Sequence, residues 1–391
     1  MNGLDTIRAV TISGAFVFGM MLALVGSLKL ALAKRLSIGE GRVGGLLSAL
    51  HLAFVPTMPL AGLLIDRTDW RFVLVAGCVL TAFGLYLLTV RATYGAALAS
   101  LLLIGIGAAC VSAACVVLMP AFFDWDPKKT AAAVNIGMVF FALGSLVTPT
   151  LVDLLLRTYD LERFQRTLIF LAVLCLVPAA VTVVQWSVAG QIPSGSKSAE
   201  LAAVLSDAKV WLAGLVFFLY GPLEFAVGTW ATTYLIDHGY SDRRAARLLS
   251  GFWLTFLAGR LLTAYLEDKN FIGEAAEAAL IPLLGIAAAV TLGNLVSAPA
   301  TKKTGVGLLV LGLILGPIFP TLVGMVLKLG HPPGTAYGTM FAIGSLGSLL
   351  LAPLIGLYAR GRSVQLALRI PLMLALMMAA AAVVLGLLPN R

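Results

Sequence analysis

Glu224 is the side chain in this sequence best placed to do chemistry. It stands about 14 residues into an apolar run that opens near Lys209, and at 1.5 Å per helical residue that is roughly 21 Å deep. In "FFLYGPLEFAVGTW" Tyr220 lies one turn before it and Gly228 one turn after, on the same face. A carboxylate at such depth costs at least about 2.5–3.5 kcal/mol and usually lines a cavity. It would act as a proton or cation acceptor, or as a hydrogen-bond anchor for a polar solute. The structural alternative is a carboxylate that locks two helices by bonding backbone or a neighbouring Trp.

Few other polar side chains share that setting. Lys29, toward the end of the first apolar run, either snorkels to the headgroups or points inward to neutralise Glu224 or attract an anion. His51 would titrate near neutrality and could hold a coupling proton, or it is a satisfied core histidine. Asn135 offers an amide to a solute or to a neighbouring helix. Trp253, Leu257 and Arg260 form one helical stripe, with Trp253 stacking on a solute or packing, and Arg260 anchoring near a helix end. A second kind of cluster lies in "AGLLIDRTDWR", where Asp66, Arg67, Asp69 and Arg71 follow a long run whose one ionisable residue is His51. Two Asp and two Arg make a net-neutral turn that can pair with nearby helix ends.

The elements that carry these residues follow from composition. Of 391 residues 60% are apolar and 12% charged, and the mean hydropathy is +1.00, far from an ordinary soluble domain. In lipid every backbone polar group must be satisfied within its own segment, so the spans are helices of roughly 20 residues. The pattern predicts helices at about 9–32, 43–65, 72–90, 95–118, 131–156 and 167–188, then 209–235, 243–266, 276–297, 304–328, 335–358 and 367–388. The first is read as a retained helix and not a signal peptide, because no small-residue cleavage site follows it. Pro149, Pro222, Pro317, Pro320 and Pro353 interrupt four of these runs or their backbone bonding.

Twelve predicted spans divide into six and six around "GQIPSGSKSAELAAVLSD", residues 190–207, the one stretch with a linker's composition. The expected organisation is an N-terminal bundle over 1–189, a linker over 190–207 and a C-terminal bundle over 208–391. The halves also look duplicated. "AVNIGMVFFALGSLVTPTLVDLLLR" from Ala133 matches "AYGTMFAIGSLGSLLLAPLIGLYAR" from Ala336 at a constant offset of 203 residues, with "LGSL" and the closing Arg157 and Arg360 in register. Internal repeats of this kind mark transporters.

The net charge of +9 does not indicate nucleic acid, since the cations sit in short loops and no basic stripe is interleaved with aromatics; they read as headgroup contacts. Cys78, Cys110, Cys115 and Cys175 lie inside apolar runs without paired spacing, so no disulfide framework or metal site is expected. No cofactor is expected either, and nothing resembles a phosphate loop or a Ser-His-Asp set, so the chain reads as no enzyme.

Against this background the charged turn acquires a family. Gly62, Asp66, Arg67 and Arg71 resemble the signature between the second and third helices of the major facilitator superfamily. Asp69 stands at its second Gly position and Trp70 at its first basic one. Four further blocks, "NIGMVFFALGSLVTP", "GPLEFAVGTWATTYL", "SGFWLTFLAGRLL" and "LGLILGPIFPTLVG", resemble the fifth, seventh, eighth and tenth helices of the fucose-proton symporter branch.

The resemblance implies an all-α membrane protein of twelve helices in two pseudo-symmetric six-helix bundles, rocking around a central site with both termini cytoplasmic. The cation count runs the other way, about eleven Lys and Arg on the cytoplasmic side against about fifteen outside. The resemblance further implies gating by Gly62, Asp66, Arg67, Arg71 and Arg260, with Asp66 and Arg67 as a cytoplasmic latch. Binding or coupling would fall to Glu224, Tyr220, Asn135, Lys29, Trp253 and His51. The acidic residues the symporters carry on their first and fourth helices have no counterpart in "ALVGSLKLAL" or "IGIGAACVSAACVVLM".

The expected activity is secondary transport of a small solute, a sugar or related polar compound, coupled to a proton or sodium. Efflux of lipophilic or cationic compounds is the alternative, and a non-transporting membrane sensor or scaffold the alternative of another class. Expected partners are the small-molecule substrate, the coupling ion and the lipid bilayer, with no nucleic acid; the protein is expected to be a monomer in the cell membrane.

Overall fold

The computed structural model describes residues 3–156, 160–187, 201–297, 303–359 and 368–388. Arg157, Arg360 and residues 190–200 of the expected linker lie outside them. Among the described residues twelve helices are long and apolar enough to cross a membrane, and no strand occurs. We number them α1 (Gly3–Leu24), α2 (Ser48–Arg67), α3 (Trp70–Val90), α4 (Tyr94–Phe123), α5 (Pro127–Leu155), α6 (Leu161–Val184), α7 (Ala208–Asp237), α8 (Asp242–Asp268), α9 (Ala276–Ser297), α10 (Thr304–Leu327), α11 (Pro333–Leu351) and α12 (Arg369–Leu387).

The hydropathy pattern located every span but not the breaks inside them. The first run is helical over Gly3–Ser27 and then restarts as a short helix, Lys29–Leu36. Within α6 the helix pauses at Leu176 ahead of Pro178, and within α10 it pauses at Gly316 and Pro317. Proline supplies no backbone N–H, so the carbonyl four residues earlier loses its helical donor.

The helices assemble into two compact units. The first is Met1–Trp125, Gly137–Leu201 and Gly330–Gly338; the second is Asp126–Ile136, Ala202–Leu329 and Thr339–Arg391. In the first unit α4 packs on α1, α2 and α3, and α6 packs on α1 and α3; in the second α10 packs on α7, α8 and α9, and α12 on α7 and α9. The same neighbour pattern therefore occurs twice. Small residues allow it in α4, whose span is the most buried of the twelve, because Gly, Ala, Ser and Cys let membrane helices approach closely.

The matching "LGSL" blocks have a common physical cause. A Cβ on Gly144 would overlap the carbonyl oxygen of Phe16, and a Cβ on Gly347 would overlap that of Phe218. Each glycine lets its helix, α5 or α11, touch the backbone of the first helix of its own half. Phe218 is also the residue whose carbonyl Pro222 leaves without a helical donor.

Two helices change unit along their length. The first turns of α5 group with the second unit, and the residues leading into and opening α11 group with the first.

Candidate functional site

Tyr220 and Glu224 on α7 meet Arg260 on α8 inside the second unit. Tyr220 is fully buried, Arg260 is 3% exposed and Glu224 is half-buried. Arg260 is the opposite charge that acts on Glu224, and the Tyr220 hydroxyl lies within hydrogen-bonding reach of the carboxylate. That hydroxyl donates to the carbonyl of Leu315 at 2.9 Å. Arg260 donates from Nε to the carbonyl of Gly316 at 3.0 Å, and its guanidinium lies 4.6 Å from the Phe256 ring centroid.

The break in α10 prepares this site. In an unbroken helix the N–H of residue 320 would bond the carbonyl of Gly316, and Pro320 has none. Arg260 takes the place of that donor, which fixes the guanidinium beside Glu224. Charged groups this deep are tolerated where they pair and bond freed carbonyls. Chemically the cluster offers a carboxylate, a planar cation and a phenol, a set that can both donate to and accept from a polar solute.

The remaining binding candidates are dispersed. Trp253 is 38% exposed, and its indole lies against Gly228 of α7 and edge-on to Phe252 and Phe256. Asn135 is buried and donates to the carbonyl of Ala131 at 3.1 Å and to the Thr321 hydroxyl at 3.4 Å, and its other neighbour is Glu267. Lys29 opens the short helix after the break at Leu28 and is half-buried. His51 is exposed, with its ring 6.5 Å from that of Phe54. Lys29 and His51 belong to the first unit.

The gating candidates resolve into two separate bonding groups. Asp66 accepts from the N–H of Gly334 at 3.0 Å, the N–H of Thr335 at 2.6 Å and the Thr335 hydroxyl at 2.7 Å. The carboxylate thus caps the N-terminus of α11, where free N–H groups and the helix dipole favour negative charge. Gly62 makes room for this, since a Cβ there would overlap the carbonyl of Gly334. Arg67 is exposed. Arg71 pairs with Asp69 and not with Asp66: its Nε lies 3.0 Å from both Asp69 oxygens, Nη1 donates to the carbonyl of Trp186 at 2.6 Å, and its guanidinium covers the Trp186 ring.

Asp69 and Trp70, the departures from the signature, are accounted for. Asp69 has extended backbone with φ −158° and caps α3 by accepting from the N–H of Arg71 at 2.9 Å. No left-handed residue is needed there, so glycine is not. Trp70 is 2% exposed and fills the space under the turn.

Three groups escaped the sequence reading. Thr335 receives Asp66; Lys129 pairs with Asp268 at 2.7 Å; and Glu267, Glu277 and Lys328 gather near the same end of α8. "EDK" at 267–269 echoes "IDR" at 65–67, a signal visible in the sequence once α2 and α8 are paired.

The model of the Major Facilitator Superfamily matches residues 11–352. The chain belongs to the major facilitator superfamily. A fungal "MFS-type transporter" from Gibberella moniliformis (strain M3125 / FGSC 7600) is 26% identical over 318 residues, covering 77% of this chain and 71% of that protein. Among solved structures, the fucose transporter FucP in its outward conformation has a TM-score of 0.74 at 18% identity over 96% of this chain and 97% of its own. The human organic anion transporter MFSD10 (TETRAN) has a TM-score of 0.77 at 16% identity over 98% of this chain and all of its own, 100%. Those identities establish a shared superfamily fold. As a superfamily member the chain is a multi-pass membrane transporter and not an enzyme.

Proposed function

We propose that the protein moves a small polar organic solute by alternating access, with proton or sodium coupling, as a monomer in the cell membrane. The observation that carries this reading is the buried cluster at the broken α10, in which the charge of Arg260 acts on Glu224 beside Tyr220. A solitary carboxylate would suit a cation, as an efflux pump requires. Here Glu224 already has its counter-charge, so the cluster suits a solute that both donates and accepts hydrogen bonds, such as a sugar or a hydroxylated acid. The fucose transporter of similar fold supports the first, and Arg260 together with the fold shared with an organic anion transporter supports the second.

In this reading Trp253 borders the cluster on α8, and Asp66 acts as the latch by capping α11. Gly62 permits the close approach, while Asp69 and Arg71 fix the turn that presents Asp66.

The test is uptake into proteoliposomes of radiolabelled sugars and organic acids, with and without a proton or sodium gradient. Glu224→Gln and Arg260→Lys should each abolish or strongly weaken uptake of the solute that the unaltered protein accumulates. Unchanged uptake in both variants would remove the cluster from the binding site. Binding without flux for every solute would favour a sensor.

A further inference from the structure

Lys209, Glu277 and Lys328 line a cavity of about 160 Å³ within the second unit. It lies where four spans begin or finish: Lys209 is in the first turn of α7, Glu277 in the first turn of α9, Lys328 directly follows α10, and Leu385 is in the last turn of α12. Every other lining residue is apolar, Ala213, Ala278 and Leu385 among them.

The charges are deep for their kind. Lys209 is 8% exposed and Glu277 is 2% exposed. Glu277 pairs with Lys328, and Asp207, outside the lining, caps α7 by accepting from the N–H of Lys209 at 2.8 Å. The lining therefore holds two ammonium groups and one carboxylate, a sum of one positive charge. Charge buried in protein is costly unless opposite charge and hydrogen bonds accompany it. An anionic group entering the cavity is favoured, and a cation is not.

Depth in the membrane points to the source of that anion. The ends of spans mark the level of the headgroups, and Trp211 is the kind of residue that sits there: it is 50% exposed and donates from Nε1 to the carbonyl of Leu205 at 2.8 Å. The helices that frame the cavity also carry exposed apolar side chains, Leu283 and Ile286 on α9 and Val384 and Leu387 on α12. A phosphate that carries acyl chains suits both the cavity and those flanks, and basic pockets between spans take anionic headgroups in this way. At roughly 30 Å³ of liquid per water the cavity has room for about five waters, or for one phosphate group and its oxygens.

We propose that this cavity binds the phosphate of an anionic phospholipid, with Lys209 and Lys328 as its cationic partners and the acyl chains lying along α9 and α12. The site shares no residue with the cluster of Glu224, Arg260 and Tyr220, and it stands whichever solute is moved.

Native mass spectrometry of the detergent-purified protein, titrated with phosphatidylglycerol, phosphatidylethanolamine or phosphatidylcholine of the same acyl chains, reads the site. Phosphatidylglycerol should be retained in preference to the other two. Lys209→Gln should weaken its retention by about fivefold, the share of one basic residue near an anionic headgroup, while Lys209→Arg should keep most of it. Lys128→Gln, an equal change of charge at an exposed position outside the lining, should change nothing. Ala278→Leu fills the cavity without touching a charge and should also displace the lipid, so the site can be judged even if Lys209→Gln fails to fold. Equal retention of phosphatidylethanolamine would overturn the need for a net negative headgroup. Undiminished retention in Lys209→Gln or Ala278→Leu would overturn the cavity as the site. Displacement of the lipid by inorganic phosphate at equal concentration would make a soluble phosphate the ligand and overturn the lipid.

Discussion

Arg260 and Gly316 are joined because proline left a carbonyl open. The Nε–H of Arg260 bonds the oxygen that Pro320 cannot, and the guanidinium is thereby held where its charge acts on Glu224. Removing Arg260 would strand both. Arg260→Ala should cost about 1–3 kcal/mol, because it leaves the buried Gly316 carbonyl without its donor. Arg260→Lys should fold nearly as well yet bind solute more weakly, since an ammonium cannot reproduce the planar fork. Thermal unfolding separates the two variants, and equal destabilisation would argue against the carbonyl as the anchor.

Gly144 and Gly347 predict matched behaviour in the two halves. Alanine at either position would press a methyl onto the carbonyl of Phe16 or Phe218, and overpacking of this kind costs about 1–3 kcal/mol. Gly293→Ala is the control, because its Cβ would meet nothing within 4 Å; there the change should stabilise by about 0.4–1 kcal/mol. Melting temperatures of the three variants in one detergent decide it.

Asp66→Asn should loosen the start of α11. One amide oxygen cannot replace a carboxylate that accepts three bonds, and the charge facing the helix dipole is lost, a change of about 1 kcal/mol. Amide hydrogen exchange across residues 330–338 should accelerate several-fold while α9 is unchanged. Identical protection in the variant would show that the cap holds nothing.

Asp69→Gly restores the residue the family signature carries and should nevertheless harm this protein. It removes the α3 cap, at a cost of a few tenths of a kcal/mol because glycine is itself a tolerable cap, and in addition removes the partner of Arg71. Arg71 would be left with the Trp186 carbonyl and ring. A rise in melting temperature for this variant would mean that the turn prefers the tighter family geometry.

The family, the number of spans and the position of each span were legible in the residues alone. The reason is physical: lipid demands a continuous apolar helix, and a continuous apolar helix is visible as a run of letters. The duplicated "LGSL" could be read for the same reason, because a glycine that touches a backbone tolerates no substitute in either half. Glu224 and Tyr220 were placed on one face by spacing, and they share a site.

Partners at long range were not legible, because nothing in a linear pattern says which helix faces which. Arg260 reads as a helix-end cation until α8 is set beside α7 and α10. Asp66 reads as half of a pair with Arg67, whereas its partners are N–H groups at Gly334 and Thr335, more than two hundred residues away. Backbone donors carry no letter, so a cap across the chain leaves no mark in the sequence. Glu267 drew no reading from the sequence; only the packed helices bury it beside Asn135. Composition decided that this chain would lie in a membrane, and packing decided where its charges would meet.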